Sequence, residues 1–397
     1  MKIRYSNFLS CYCNKSCSMN IFETENLMRS IVLLFSFSPY LSLKSAVTDN
    51  ALTFLYALFI IRLAISMSES KIQLAFLRRK LPVFLVLSLF LIYGCINNPV
   101  VAWKDDFVSL IFPISIAIYY VIDSHKLDKS KIESVIKLYI FCALANSIMG
   151  IFQTITFRGN FASLYVGHYA EEAPYNYYRH GHLRALGFQA SPVTLSYYLV
   201  PALIILFCAY GRKLFQRLRY ILIAIIFLAL ILTGCRVPVL SFFLCLFCWK
   251  VIPQKRRLLK FLPLIVLSIM LILLNLFDAS LDSSALGRFP QFQLAWELFV
   301  SHPLGYGMGY ASYPFGVVSF DPSILTILIN YGVIGITIWW KVYIHSISNE
   351  MITEEGKLIT LNLFLVSLFS NVFSVGAMLI TITLINCYNL NKIEISK

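Results

Sequence analysis

Long apolar runs recur along almost the whole chain and are separated by short polar segments. A helix that crosses a bilayer needs about 20 mostly apolar residues, and runs of this kind predict twelve membrane-spanning helices. Their approximate bounds are 28–43, 50–66, 81–97, 107–123, 133–155, 191–210, 219–233, 237–252, 260–277, 322–344, 357–373 and 375–390. The last two come from one continuous apolar run that is too long for a single crossing, and Asn371 and Gly376 mark where it turns.

The composition agrees with a membrane protein. Hydrophobic residues make up 59% and charged residues 13% of the 397 residues, and the mean hydropathy is +0.75. A soluble chain of this length carries far more polar surface. The predicted fold class is therefore an all-α integral membrane protein, with residues 1–27 as a cytoplasmic tail and residues 28–397 as a single multi-pass domain.

The distribution of basic residues predicts the orientation in the membrane. The net charge is +14, from 33 basic and 19 acidic residues. Basic residues of membrane proteins mark cytoplasmic loops, so this charge does not indicate a nucleic-acid partner. With the N-terminus inside, 26 of the 33 Lys and Arg residues fall in cytoplasmic loops or at cytoplasmic ends of spans. We therefore predict that both termini are cytoplasmic.

Two long polar segments, at about 157–190 and 278–321, both face outward in this topology. The cytoplasmic loops are short and basic, and no Gly-rich phosphate-binding loop is visible in them. None of the ten cysteines lies in the two external loops, so no disulfide framework is implied there. Chemistry is therefore expected on the outer face.

The first external loop is dense in tyrosine, histidine and arginine. Tyr177 and Tyr178 are candidates for binding a glycan, because aromatic rings stack on the C–H faces of sugars. An aromatic belt at the membrane interface is the equally weighted alternative. The histidines at 168, 180 and 182 have no carboxylate or cysteine at a ligand spacing, so we predict no metal.

The second external loop contains the segment GRFPQFQLAWELFVSHPLGYGMGY, residues 287–310. Its apolar residues recur at helical spacing between Pro290 and His302-Pro303, which predicts an amphipathic helix. Such a helix would lie on the outer leaflet or against neighbouring spans. The glycines at 305, 307 and 309 allow a close backbone approach or a sharp turn.

Three external arginines lie at the predicted outer mouth of the helix bundle: Arg184, Arg236 and Arg288. The guanidinium group offers five donors in a rigid fork that suits phosphate oxygens. Each arginine alone could instead contact lipid headgroups. Their recurrence in separate loops favours a binding site for a lipid-linked pyrophosphate, whose headgroup rests at this surface.

Four motifs in this region resemble, in the same order, those of the O-antigen polymerase and ligase superfamily. The first is Arg184-Ala-Leu-Gly-Phe188 followed by Ser191-Pro192, and the second is Thr233-Gly-Cys-Arg236. Cys235 stands where the superfamily usually has serine. The third and fourth motifs complete the match: Arg288, Trp296 and HPLGYGMG at 302–309, then Asp321 with Gly332 and Gly335.

The resemblance implies a GT-C-like membrane glycosyltransferase of the bacterial inner (plasma) membrane, with its active site at the periplasmic face. It implies a glycan on undecaprenyl pyrophosphate as substrate, no metal or other cofactor, and a chain-length regulator protein as a further partner. In that setting Arg184, Arg236 and Arg288 would bind pyrophosphate. The other candidates are the catalytic carboxylates Asp321, Glu172 and Glu297 and the glycan-binding residues Tyr177, Tyr178, His302 and Tyr306.

Three functions remain in competition. Ligases of the superfamily carry a histidine where this chain has Asp321, and the Asp-x-Ser pattern at 321–323 favours a polymerase. A ligase of the same superfamily is the first alternative. A transporter of lipid-linked oligosaccharides is the second, although ionisable residues at mid-span and internal repeats, which are typical of transporters, are not visible.

Overall fold

The structure is a computed structural model, and it describes a defined part of the chain. The described residues are 26, 29–30, 32–33, 36–37, 85–86, 89–90, 92–94, 96, 129–156, 178–179, 182–189, 191–208, 215–251, 262–263, 265–266, 289–307, 309–312, 320, 322–348 and 352–369.

Helices dominate this described part. In chain order they are α1 (Lys129–Thr156), α2 (Pro192–Phe207), α3 (Arg219–Leu232), α4 (Arg236–Val251), α5 (Phe289–Ser301), α6 (Ser323–Ser348) and α7 (Glu354–Ser367). Short 3-10 turns lie at Gln216–Leu218 and Tyr310–Ser312. The predominantly helical class is confirmed, and α5 confirms that a helix lies between Pro290 and His302. The predicted spans 50–66, 107–123 and 375–390 lie outside the described residues.

Two of the described helices are long and apolar enough to cross a membrane. They are Ser130–Thr156 within α1 and the whole of α6. The apolar helices α2, α3 and Arg236–Trp249 within α4 are shorter. The described residues thus support a membrane protein through these two candidate spans.

The segment at about 157–190 contains a small ladder that the sequence did not predict. Strands β1 (Tyr178–Arg179) and β2 (His182–Leu183) pair antiparallel, with Tyr178 opposite Leu183. Two residues per strand are too few to produce a readable alternation of apolar and polar positions. The ladder leads directly into the segment that carries Arg184.

Helix α2 lies at the centre of the described helices and packs against α1, α3, α4 and α7. Nearly all of its residues from Leu195 to Leu206 are buried, which fits a helix that is apolar on every side. Ser191 caps its first turn, and Pro192 occupies the first helical position, where no N–H is needed.

Helix α6 is broken at Gly332, although the sequence predicted an uninterrupted span at 322–344. Gly332 has φ 55° and ψ −147°, which is non-helical. The segment that follows α5 fills the break: Tyr306 N donates to Ile329 O (3.0 Å), Gly307 N to Asn330 O (3.0 Å) and Val333 N to Pro303 O (2.9 Å). Peptide groups freed in an apolar surrounding need such partners, since water is not available there.

Gly332→Ala should destabilise the protein strongly. A Cβ at Gly332 would clash with the carbonyl oxygen of Pro303. With a positive φ and ψ −147°, Gly332 lies close to a backbone region that is essentially restricted to glycine and that costs another residue about 1–3 kcal/mol. Relief of the clash would in addition separate the loop from α6. Thermal unfolding in detergent micelles measures the effect.

Gly150→Ala is the matched control, because Gly150 lies in the regular helix α1 and its added Cβ would meet the Ala185 side chain at 3.1 Å. Its melting temperature should stay much closer to that of the wild type. Equal losses in the two variants would contradict the role assigned to the break.

Candidate functional site

Arg184 is fixed to the turn between α3 and α4. Its Nε donates to Thr233 O (2.7 Å) and its Nη2 donates to Cys235 Sγ (3.0 Å). The backbone adds a third bond, from Ala185 N to Leu232 O (3.0 Å). Since Cys235 directly precedes Arg236, the structure brings two of the three predicted pyrophosphate-binding arginines to one turn.

The turn itself is built from small residues. Gly234 has φ 64°, and the buried Thr233 hydroxyl donates to Leu230 O (2.7 Å) at the end of α3. Cys235 N donates back to Thr233 Oγ1 (3.3 Å). The Cys235 side chain therefore keeps a polar atom within reach of Arg184.

The electrostatics of this turn favour an anion. Arg236 is the first residue of α4 and is exposed. The N-terminal end of a helix carries a partial positive charge, which favours an anion near it. Two guanidinium groups beside one helix N-terminus form a positive surface that a phosphate would stabilise.

Two buried side-chain amides of α1 form hydrogen bonds with the backbone of the segment 184–189. Gln153 Oε1 accepts from Leu186 N (3.3 Å) and Gly187 N (2.9 Å), and Gln153 Nε2 donates to Gly187 O (2.9 Å). Asn146 Oδ1 accepts from Phe188 N (3.0 Å). These contacts satisfy an irregular backbone through side chains of a candidate spanning helix.

Sequence reasoning did not single out Asn146 and Gln153, although a signal was present. They are buried polar residues inside a predicted span and lie seven residues apart, which places them on the same helix face. Polar residues within a span are costly and therefore point to a specific partner. Gly187 is required by the same packing, since a Cβ there would lie 2.6 Å from Asn146 O.

A second group of candidate residues lies on the loop after α5. The His302 and Tyr306 rings have centroids 4.2 Å apart, and the Tyr306 and Tyr310 rings are stacked at 3.9 Å and 7°. Ser301 Oγ lies within hydrogen-bond distance of Tyr306 Oη (2.6 Å) and of His302 Nδ1 (3.4 Å). The order of the stack is His302, Tyr306, Tyr310.

Tyr306 is the middle ring of this stack. At centroid distances near 4 Å a neighbouring ring must lie over the ring face, so the His302 and Tyr310 rings both cover the Tyr306 ring. A sugar ring would therefore meet the outer faces of His302 and Tyr310 instead. Burial, and secondly the neighbouring Tyr306, raise the pKa of the Tyr310 phenol, so it remains a neutral donor at physiological pH. The sequence did not identify Tyr310.

Asn330 anchors the glycine-containing loop to α6. Its side chain is fully buried, its Oδ1 accepts from Ala311 N (2.8 Å), and its Nδ2 has no hydrogen-bond partner. A Cβ on Gly305 would lie 2.6 Å from Asn330 O. Glycine is thus required at position 305 because the loop backbone lies in close contact with the broken helix α6.

The remaining predicted site residues are placed separately. Glu297 is exposed on α5, where Gln293 Nε2 lies 3.4 Å from its Oε1. Tyr178 is half-buried in β1, and burial raises the pKa of its phenol. Arg288, Asp321, Glu172 and Tyr177 lie outside the described residues. In the described part of the chain, no group of three His, Cys, Asp or Glu residues is arranged to hold a metal ion.

Gln153→Leu should loosen the segment that carries Arg184. The change leaves three buried backbone groups at Leu186 and Gly187 without their partners, and each such group costs about 1–3 kcal/mol. Limited trypsin digestion in micelles should then cleave after Arg184 markedly faster than in the wild type.

Gln293→Leu is the matched control, since it makes the same substitution at an exposed position with one 3.4 Å contact. Cleavage after Arg184 should be unchanged in that variant. An unchanged rate in both variants would show that Gln153 does not hold the segment.

Comparison with known proteins returns no match. No family model matches the chain, and no curated protein or solved structure matches it. The candidate site is therefore assigned on the contacts of its own residues.

Proposed function

We propose that the chain is an O-antigen polymerase of the bacterial inner membrane, with its site on the periplasmic face. The observation that carries the proposal is the joint placement of Arg184 and Arg236 at the Thr233–Arg236 turn. A lipid-linked pyrophosphate at a membrane surface is the anion that such a pair suits. In this proposal all twelve predicted spans form one helical bundle, and both termini are cytoplasmic.

The reaction transfers the growing glycan from undecaprenyl pyrophosphate to an incoming lipid-linked repeat unit. A hydroxyl of the repeat unit attacks the anomeric carbon, the bond from that carbon to the pyrophosphate oxygen breaks, and undecaprenyl pyrophosphate leaves. Negative charge grows on the leaving phosphate as this bond breaks. Arginine donors that are already positioned stabilise it without reorganising, which lowers the barrier.

Arg184 and Arg236 have different roles in stabilising the charge on the leaving phosphate. Arg184 uses Nε and Nη2 to hold the turn, so its guanidinium is fixed in orientation before any substrate binds. Arg236 is exposed at the start of α4 and offers its fork to the headgroup. In the proposal Arg288 completes the site.

A carboxylate removes the proton from the attacking hydroxyl. Asp321 is the first candidate, because it stands where ligases of the superfamily carry histidine, and Glu172 and Glu297 follow. Among these, Glu297 lies on the exposed side of α5, one turn before the loop that begins at His302. The His302–Tyr306–Tyr310 stack is proposed to bind the glycan near this base, and Tyr177 and Tyr178 are further candidates.

The two alternative functions, a ligase and a transporter, require different features from those of a polymerase. A ligase needs a base that activates an acceptor outside the polymer, and the histidine that would serve is replaced by Asp321. A transporter needs a path through the bilayer, whereas the described arginine pair lies at a helix end. A chain-length regulator protein remains a proposed partner.

Arg236→Lys should reduce polymerisation by about ten- to a hundredfold. A charge-assisted contact to phosphate is worth roughly 1.5–3 kcal/mol, which corresponds to that factor when it is felt in the transition state. Lysine retains the charge but lacks the fork. Chain length on gels of surface glycan and the amount of inserted protein are measured together.

Arg219→Lys is the control for a general charge effect. Arg219 lies at the opposite end of α3, about 21 Å from the turn, and its guanidinium lies over the Tyr220 ring, a contact that lysine can replace. Normal chain length is expected for it. If Arg184→Lys and Arg236→Lys also gave normal chains, the arginines would be surface anchors and the proposal would fail.

Loss of the gene distinguishes the polymerase from its alternatives. Without a polymerase, cells should attach single repeat units to the core oligosaccharide but not extend them. Loss of a ligase would leave long polymer that is not attached to the core, and loss of a transporter would leave repeat units inside the cell. A gel ladder of the surface glycan separates these results.

A further inference from the structure

The surface of α5 is divided into three sectors, which follow from a rotation of about 100° per residue. One sector packs on the protein and includes Ala295, which is 0% exposed, and Gln291, which is 7% exposed. A polar, exposed sector on the far side carries Gln293 and Glu297. Between them lies an apolar, exposed sector with Trp296 and Val300, one helical turn apart.

This apolar sector is well exposed. Trp296 is 62% and Val300 59% exposed, and Leu304, just beyond the helix, is 66% exposed. Trp296 also contacts the ring of Phe299 at a centroid distance of 5.7 Å, which holds the indole against the helix. We define Trp296, Val300 and Leu304 as the apolar flank of α5.

The flank continues onto the exposed surface of α6. Val333 N donates to Pro303 O, which places Leu304 beside the second half of the broken helix. Val333 itself is 48% exposed. Helix α6 is long and apolar enough to span a membrane, so its exposed apolar side chains face lipid when it does. The flank and Val333 therefore belong to one surface.

We infer that the apolar flank of α5 inserts into the outer interface of the phospholipid bilayer. Tryptophan favours this depth, because its ring is apolar and its N–H is polar. The polar sector with Gln293 and Glu297 then faces headgroups and water. A helix with one apolar edge beside one polar edge is suited to the boundary between the acyl chains of the bilayer and water.

A second protein fits this surface less well. A stable interface buries roughly 800 Å² on each partner, and the flank is a strip one helix edge wide that polar residues border directly. The lipid-inserted flank fixes the depth of the loop with His302 and Tyr306 at the level of lipid headgroups, whatever reaction the site performs.

Quenching of tryptophan fluorescence by brominated lipid tests this in the full-length chain. The protein is reconstituted in vesicles of phosphatidylethanolamine and phosphatidylglycerol whose acyl chains carry bromine near the headgroup. The chain has five tryptophans, so the contribution of Trp296 is the difference between wild type and Trp296→Phe. We expect Trp296→Phe to remove a component of the emission that is strongly quenched by bromine.

Trp339→Phe is the matched control, because Trp339 is only 3% exposed and packs against Phe364. The component that it removes should resist bromine. A Trp296 component that iodide quenches and bromine does not would place the flank in water, and one that neither quenches would place it against protein. Protection from bromine by added unbrominated polyprenyl phosphate would assign the surface to that lipid. Each of these three results would overturn the inference.

Discussion

The need to pair every backbone N–H and C=O group in apolar surroundings governs the described structure. Two irregular segments carry the candidate residues, and each is paired with a helix that is long and apolar enough to span a membrane. The segment 303–307 bonds to Ile329, Asn330 and Val333 at the break in α6, and the segment 184–188 bonds to Asn146 and Gln153 of α1. Each unpaired group would cost several kcal/mol in such a setting, so the loops are held where the helices offer partners.

The positions of the helices could be predicted from the sequence, whereas the contacts between them could not. The helices followed from the length of apolar runs, and α5 followed from helical spacing between Pro290 and His302. The meeting of Arg184 with the turn before Arg236 was expected only as a shared location at the outer mouth. The bond from Arg184 to Thr233 O depends on how α1, α2 and α3 pack, and one-dimensional patterns do not contain that packing.

Other features gave weak signals or none. Asn146 and Gln153 were visible as polar residues within a span, but their partners lie more than 30 residues away in sequence. The break at Gly332 was hidden because isolated glycines inside an apolar run, here Gly332 and Gly335, are compatible with a continuous helix. Tyr310 was missed because its role depends on stacking against Tyr306, which the turn at Tyr310–Ser312 produces.

The proposed function requires that this chain alone joins lipid-linked repeat units. Purified protein in vesicles should be supplied with isolated undecaprenyl-pyrophosphate-linked repeat units and nothing else. We expect a ladder of longer lipid-linked glycans, with one undecaprenyl pyrophosphate released for each new linkage. Repeat units that stay single, while glycan is transferred as soon as a core oligosaccharide acceptor is added, would contradict it.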